Sequence, residues 1–229
     1  MNLRSCAFSA LSVFVMAHSN AFAADQRLPA IADRWQCAVE ASCLKRSGSL
    51  IKRIGRSLII TATSGEKIEF KDSPSSCEPN EEAEISCPKF RVRAFAGPRK
   101  LVLIEEEGDP ASFQVISGTT GKKLYAHIGT GAFSPDGNRV AAFFSSTELR
   151  AYEIAIVDLR SENAVEEFIH ESNETDDGRV FVGEFRGWTS NTEVRFKIVQ
   201  ETDEEPRNVA ASAVMADGRW TIRRGPPSR

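Results

Sequence analysis

The chain lacks nearly every short motif that marks a familiar active site. It has no Gly-x-Ser-x-Gly elbow to expose a nucleophilic serine. Gly129-Thr-Gly131 is no phosphate loop, because Ala132-Phe133 follows where glycine and lysine are needed. No Cys-x-x-Cys pair occurs, and past the first residues the histidines are His127 and His170, far in sequence from any cysteine, which argues against zinc. Tyrosine and tryptophan are scarce, at 2 and 3, and acidic and basic residues are interspersed around a net charge of −3. That pattern gives neither a basic footprint nor a stacking platform, so no nucleic-acid partner is expected. No apolar run reaches the about 20 residues that a transmembrane helix needs, so no transmembrane segment is expected.

What is present begins with an export signal. Arg4 precedes an apolar stretch from Cys6 to Ala17, and Ala21-Phe22-Ala23 closes it with small residues at the −3 and −1 positions. This predicts a signal peptide over 1–23, cut after Ala23, and a soluble periplasmic or secreted product. The alternative is a buried N-terminal helix. Cys6 follows Leu-Arg-Ser, without the small residues of a lipoprotein cleavage site, so a lipid anchor is not expected. Removing Cys6 leaves Cys37, Cys43, Cys77 and Cys87, an even number that predicts two disulfides in an oxidising compartment. Local closure favours Cys37–Cys43 with Cys77–Cys87. Against it, residues six apart in a helix over Ala30 to Leu44 would point to different faces, and the pairing would then cross.

Residues 24–48 read as a helical segment. Pro29 suits a helix start, and Ile31, Trp35 and Val39 recur near the helical period. From Ser49 the period becomes that of strands. Leu58-Ile-Ile-Thr-Ala-Thr, the turn Ser64-Gly65-Glu66-Lys67 and Ile68-Glu69-Phe70 make a hairpin. Residues 72–88 form a polar loop that Cys77 and Cys87 would cinch. Three segments then superpose: Phe95-Ala-Gly-Pro-Arg-Lys-Leu-Val-Leu-Ile, Phe133-Ser-Pro-Asp-Gly-Asn-Arg-Val-Ala-Ala-Phe, and Trp188-Thr-Ser-Asn-Thr-Glu-Val-Arg-Phe-Lys-Ile. Each has an aromatic residue, a turn and an apolar strand, and each is followed by a second hairpin. The strands Ile154-Ala-Ile-Val are apolar on both sides, as strands covered on both faces must be, whereas Val194-Arg-Phe-Lys-Ile alternates and predicts one wet face.

The stretch from Phe133 to Phe168 resembles one blade of a TolB-type β-propeller. The resemblance fades on either side, where Ala-Gly-Pro and Thr-Ser-Asn-Thr replace Ser-Pro-Asp-Gly. It implies an interaction platform and nothing about chemistry. The fold expected is all-β and mainly antiparallel with a short N-terminal helix. It would be a small or incomplete propeller-like array of about four sheets over 49–225, with 226–229 as a disordered tail. The alternative is a β-sandwich.

Candidate chemistry is sparse. Asn173, Thr175, Asp177, Gly178 and Glu184 fit a calcium loop loosely, but asparagine and threonine replace aspartates, and a solvated acidic loop is the default. His127, Asp136 and Asp158 are the candidates for a propeller hydrolase or lyase; the bland readings are a structural histidine, a turn residue and a strand-end acceptor. Glu105-Glu-Glu107 and Glu201-Thr-Asp-Glu-Glu205 read as solvated turns at strand ends. Arg223, Arg224 and Arg229 form a short basic tail. No catalytic residue, metal or cofactor is expected. The function expected is a non-enzymatic binding protein of the cell envelope with a protein partner. The alternatives are a disulfide-stapled inhibitor presenting the loop 72–88, or the propeller enzyme. The sequence leaves the oligomeric state open.

Overall fold

The structure is a computed structural model that describes residues 34–37, 39–77, 87–97, 99–108, 110–146, 151–172, 180–200 and 207–228. The signal segment 1–23, the calcium-loop positions 173–178, residues 201–206 and Arg229 lie outside these described residues. So does most of the loop between Cys77 and Cys87.

Four antiparallel sheets follow one another along the chain. The first contains β2 (Ile51–Ile54), β3 (Ser57–Thr61) and β4 (Lys67–Lys71). The second runs β5 (Lys89–Ala96), β6 (Leu101–Glu107), β7 (Ser112–Ser117) and β8 (Lys123–Ile128), with β1 (Arg34–Gln36) added beside β5. The third is the meander β9 (Thr130–Phe133), β10 (Arg139–Ser146), β11 (Ala151–Asp158) and β12 (Val165–Ser172). The fourth is β13 (Val180–Ser190), β14 (Glu193–Gln200), β15 (Arg207–Ala216) and β16 (Arg219–Ser228). The one described helix, α1 (Glu40–Ser47), lies against β5 and β2.

Alternation along each strand decides which neighbour it packs on. In β6, Val102 and Ile104 point to the first sheet, and Leu101 and Leu103 to the third. In β10, Val140 and Ala142 face the second sheet, and Ala141 and Phe143 the fourth. This is why Leu101-Val-Leu-Ile and Val140-Ala-Ala-Phe are apolar without a break. Each buried valine, leucine, isoleucine or phenylalanine among these contributes about 1.5–3 kcal/mol. The apolar clusters therefore join first to second, second to third and third to fourth; among the described residues none joins the first sheet to the fourth, and the row is not closed. Four sheets in a row replace the two layers of a sandwich.

The three recurring aromatic residues occupy equivalent places. Phe95, Phe133 and Trp188 lie near the ends of β5, β9 and β13, each just before the turn into the next strand. Phe95 fills the cluster between first and second sheets, Phe133 that between second and third, and Trp188 packs against that between third and fourth. Trp188 also donates from Nε1 to the Ala132 carbonyl at 2.8 Å, tying β13 to β9.

The turn after Phe133 shows how the sequence fixes the geometry. Ser134 Oγ donates to Asp136 Oδ1 at 2.6 Å, and the Asn138 amide donates to the same oxygen at 3.1 Å. Gly137 sits at φ +70, and a Cβ there would come within 3.0 Å of the Ala96 methyl group. At the last hairpin Asp217 and Gly218 have φ 51 and 74, as a two-residue type I′ turn demands.

Three expectations need correction. The helical segment 24–48 contains a strand: Arg34–Gln36 pairs with β5, placing Trp35 opposite Phe95, and only Glu40–Ser47 is helical. The free edge of β5 supplies hydrogen-bond partners that outweigh a three-residue helical spacing. Val39, read as part of an apolar stripe, is 62% exposed. The C-terminal tail is not a tail, because residues 226–228 continue β16, with Pro227 opposite Val209. Proline is tolerated there since β16 is an edge strand with a register shift between Val209 and Ala211. Arg223 and Arg224 accordingly lie within that strand. Glu105, Glu106 and Glu107 belong to β6 rather than to a turn, where Arg93 pairs with Glu105 and Arg91 with Glu107 across the ladder from β5.

Candidate functional site

The inner edges of the second, third and fourth sheets converge on one open groove. Among the described residues β1, β9 and β13 are each the last strand of a sheet on that side, so their outward backbone groups face the groove, apart from the Ala132 carbonyl, which accepts from Trp188 Nε1. A cavity of about 510 Å³ lies there, with Gln36 of β1, Arg93 of β5, Glu105 of β6, Thr130 of β9 and Phe185 and Arg186 of β13 around it, and the Phe113 ring at its floor. A second hollow of about 480 Å³ shares Thr130 and Phe185, and extends past Gly129, Phe144 and Ser145. The sequence makes the groove narrow at β9. A Cβ on Gly131 would lie 2.7 Å from the Phe113 ring, and one on Gly129, at φ +99, would meet the Phe143 carbonyl at 2.2 Å.

The groove wall is polar but internally balanced. Arg93 pairs with Glu105, whose side chain is only 15% exposed, and Arg186 pairs with Glu184 at 2.6 Å. Two guanidinium groups thus stand at the rim with their carboxylates beside them. Such an arrangement can offer hydrogen bonds to a carboxylate or a peptide carbonyl at little desolvation cost.

The sequence candidates for catalysis are not assembled. His127 leaves β8 toward the third sheet, where its Nε2 lies 2.6 Å from Glu153 Oε1 and its Nδ1 beside the Ile128 carbonyl. Its ring stacks on Tyr125, with centroids 5.9 Å apart. Burial pushes the Tyr125 hydroxyl well above its ordinary value, and the nearby Glu166 and Glu153 carboxylates add to this. Asp136 is the anchor of its turn. Burial pulls its carboxyl up, but the bonds from Ser134 and Asn138 and the nearby Arg139 outweigh that and hold it low. Asp158 is held low by hydrogen bonds from the Arg160 side chain and backbone. Asp158 lies five residues along β11 from Glu153, or about 16 Å at the rise of a strand. The histidine and the aspartates therefore serve separate interfaces.

His170 also has a structural partner, with Nε2 3.2 Å from the Tyr152 hydroxyl. Of the calcium candidates, Glu184 alone is described; it lies on β13, not at a helix start, and is paired with Arg186. Cys37 and Cys43 form one disulfide and Cys77 and Cys87 the other. Cys37 precedes α1 while Cys43 lies within it, so the objection from helical faces does not arise. Among the described residues no helix is long and apolar enough to cross a membrane.

Sequence reasoning missed the groove residues Gln36, Arg93, Thr130, Phe185 and Arg186. They come from four different strands, and no local spacing announces them. It also missed Glu153 and the bidentate pair of Arg139 with Glu167, at 2.7 and 3.1 Å. That carboxylate also accepts from Trp220 Nε1 at 3.0 Å and so joins the third sheet to the fourth.

No family model and no curated protein matches the sequence. Among solved structures the chain is similar to a hydrazine synthase chain of Kuenenia stuttgartiensis, with 12% identity and a TM-score of 0.41 over 75% of this chain. The likeness spans 51% of that chain, so this protein covers about half the length of the structure it matches.

Proposed function

We propose that the chain is an exported, non-enzymatic binding protein of the cell envelope, periplasmic or secreted after cleavage behind Ala23, whose protein partner seats in the groove between β1, β9 and β13. The observation that carries this reading is the convergence of three strand edges, none paired with a further described strand, on one polar-rimmed cavity of about 510 Å³. Exposed edges bind extended segments through backbone hydrogen bonds, and neighbouring side chains add selectivity. Two supports stand beside it. His127, Asp136 and Asp158 each serve a separate structural contact. The two disulfides suit an oxidising compartment. The resemblance of Phe133 to Phe168 to a TolB-type blade is in keeping with an interaction platform.

The test is affinity capture from envelope extract with the unaltered chain and with Thr130→Arg, which fills the groove from an exposed position on β9. The reading expects a partner retained by the first and lost by the second, with unchanged thermal unfolding. Capture that is indifferent to Thr130→Arg would remove the groove as the site. Cleavage found anywhere other than behind Ala23, or not at all, by mass spectrometry of the exported chain would remove the processing step.

A further inference from the structure

Among the described residues, the two sheets at the ends of the row each have a face that no other sheet covers. On the fourth sheet, Val194, Phe196, Ile198 and Ala213 point to the third sheet and are buried. The register of β13 to β16 then places Glu193, Arg195, Lys197, Ser212 and Arg223 on the opposite face. A hollow of about 400 Å³ lies on this face between Arg186, Arg195, Lys197, Asn208 and Ala210. Its small residues, Ala210 and Ala211, allow close approach of another surface. Among the described residues Arg186, Arg195, Lys197 and Arg223 outnumber Glu184 and Glu193 on this face, an excess of positive charge on a chain whose net charge is −3.

We infer that this outer face of the fourth sheet is a docking surface for an acidic protein. The inference rests on reading the chain as a binding protein, but uses a surface outside the groove cavity except for Arg186, which borders both. Charge decides between occupants. A second copy of the chain could offer the same face or the outer face of its first sheet. The latter carries Lys52, Lys67 and Lys71 against Glu69, because Leu58 and Ile60 point inward. Positive meets positive in both arrangements, and like charges across an interface oppose association. A membrane is disfavoured for a different reason. Phe185, Trp188, Phe196 and Trp220 all pack on the covered side, so these four rings do not enter a headgroup layer. An acidic, flat protein surface complements both the charge and the small residues.

The experiment measures binding of the full chain to immobilised poly-L-glutamate at about 0.15 M salt, near physiological ionic strength. Parallel arms use phosphatidylglycerol vesicles and sedimentation of the chain alone over a concentration series. Arg195→Glu with Lys197→Glu is expected to weaken poly-L-glutamate binding by about tenfold or more, while Lys67→Glu with Lys71→Glu leaves it unchanged. Thr130→Arg is also expected to leave it unchanged, so failure of the groove reading and failure of this inference are read separately. Arg195→Gln with Lys197→Gln gives the same direction with less effect, and serves if the reversal unfolds the sheet. Equal weakening by the first-sheet and fourth-sheet reversals would overturn the inference, as would absence of binding to poly-L-glutamate. Vesicle binding without poly-L-glutamate binding would overturn it in favour of a membrane. Self-association lost in the fourth-sheet variant would overturn it in favour of a second copy.

Discussion

The first sheet and the last three share apolar stacking and differ in what is added to it. The second, third and fourth sheets each contain a four-stranded meander with an aromatic residue at one end, and their apolar stacking is supplemented by side-chain ties such as His127 to Glu153 and Trp220 to Glu167. The first sheet has three strands. The helix α1 supplies the buried Cys43 to its core, and the disulfide to Cys37 ties that helix to the chain beyond β1. Arg53 then works as a hub. It donates to Glu40 at 2.8 Å and to Asp72 at 2.7 Å, and also to the Phe90 carbonyl, joining α1, the segment after β4 and β5. A complete repeat buries enough apolar surface to stand against its neighbours, and an incomplete one is secured by covalent and ionic ties. The contrast follows the general rule that terminal repeats are atypical.

The comparison is broken most severely in the repeats. Phe133→Ala removes a fully buried ring between the second and third sheets and is expected to cost about 3–5 kcal/mol. It should lower the midpoint of chemical unfolding for the whole chain. Loss confined to hydrogen exchange in the first sheet would contradict the stacking described. Replacing Cys37 and Cys43 together by alanine is expected to cost about 2 kcal/mol. Its effect should centre on α1 and the first sheet, seen as faster hydrogen exchange there with the third and fourth sheets still protected. Arg53→Met leaves Glu40 and Asp72 without their cation and should cost about 1–2 kcal/mol in the same region. Uniform destabilisation by either variant would erase the distinction between first sheet and repeats.

The smallest effect concerns acid. Asp136 and Asp158, both in the third sheet, have folded values below the ordinary 3.8. A depressed carboxyl stabilises the fold above its unfolded value, and that stability is lost as pH falls from about 3.8 through the folded value. Asp136→Asn and Asp158→Asn should flatten the loss of thermal stability over that acid range and leave the slope above pH 5 unchanged. An unchanged acid slope would show that these turns contribute nothing through charge.

The repeats were legible because their signal is local. The aromatic residue, the turn chemistry of Ser134-Pro-Asp-Gly-Asn and the unbroken apolar strands all lie within one segment, and each sheet is built from consecutive strands. The doubly apolar run Ile154-Ala-Ile-Val announced a sheet covered on both sides, and Val194-Arg-Phe-Lys-Ile announced the wet face of the last sheet. The groove was not legible. Gln36, Arg93, Thr130 and Arg186 meet only because three sheets stand side by side, and nothing in their own neighbourhoods records that. The strand at Arg34–Gln36 was misread for the same reason, since its partner β5 is some sixty residues away in the register Arg34 to Ala96. The final strand was misread because proline normally ends a ladder, whereas an edge strand forgives it.

Among the described residues the row of sheets stays open, with no sheet over the outer faces of the first and fourth. Spin labels at Ile59 of β3 and Arg195 of β14 point outward from those two faces and report their separation by dipolar spectroscopy. An open row predicts at least two sheet spacings between them, each about 10 Å. A separation of about one spacing would mean that the two faces pack together, and would contradict the open row and the docking surface built on it.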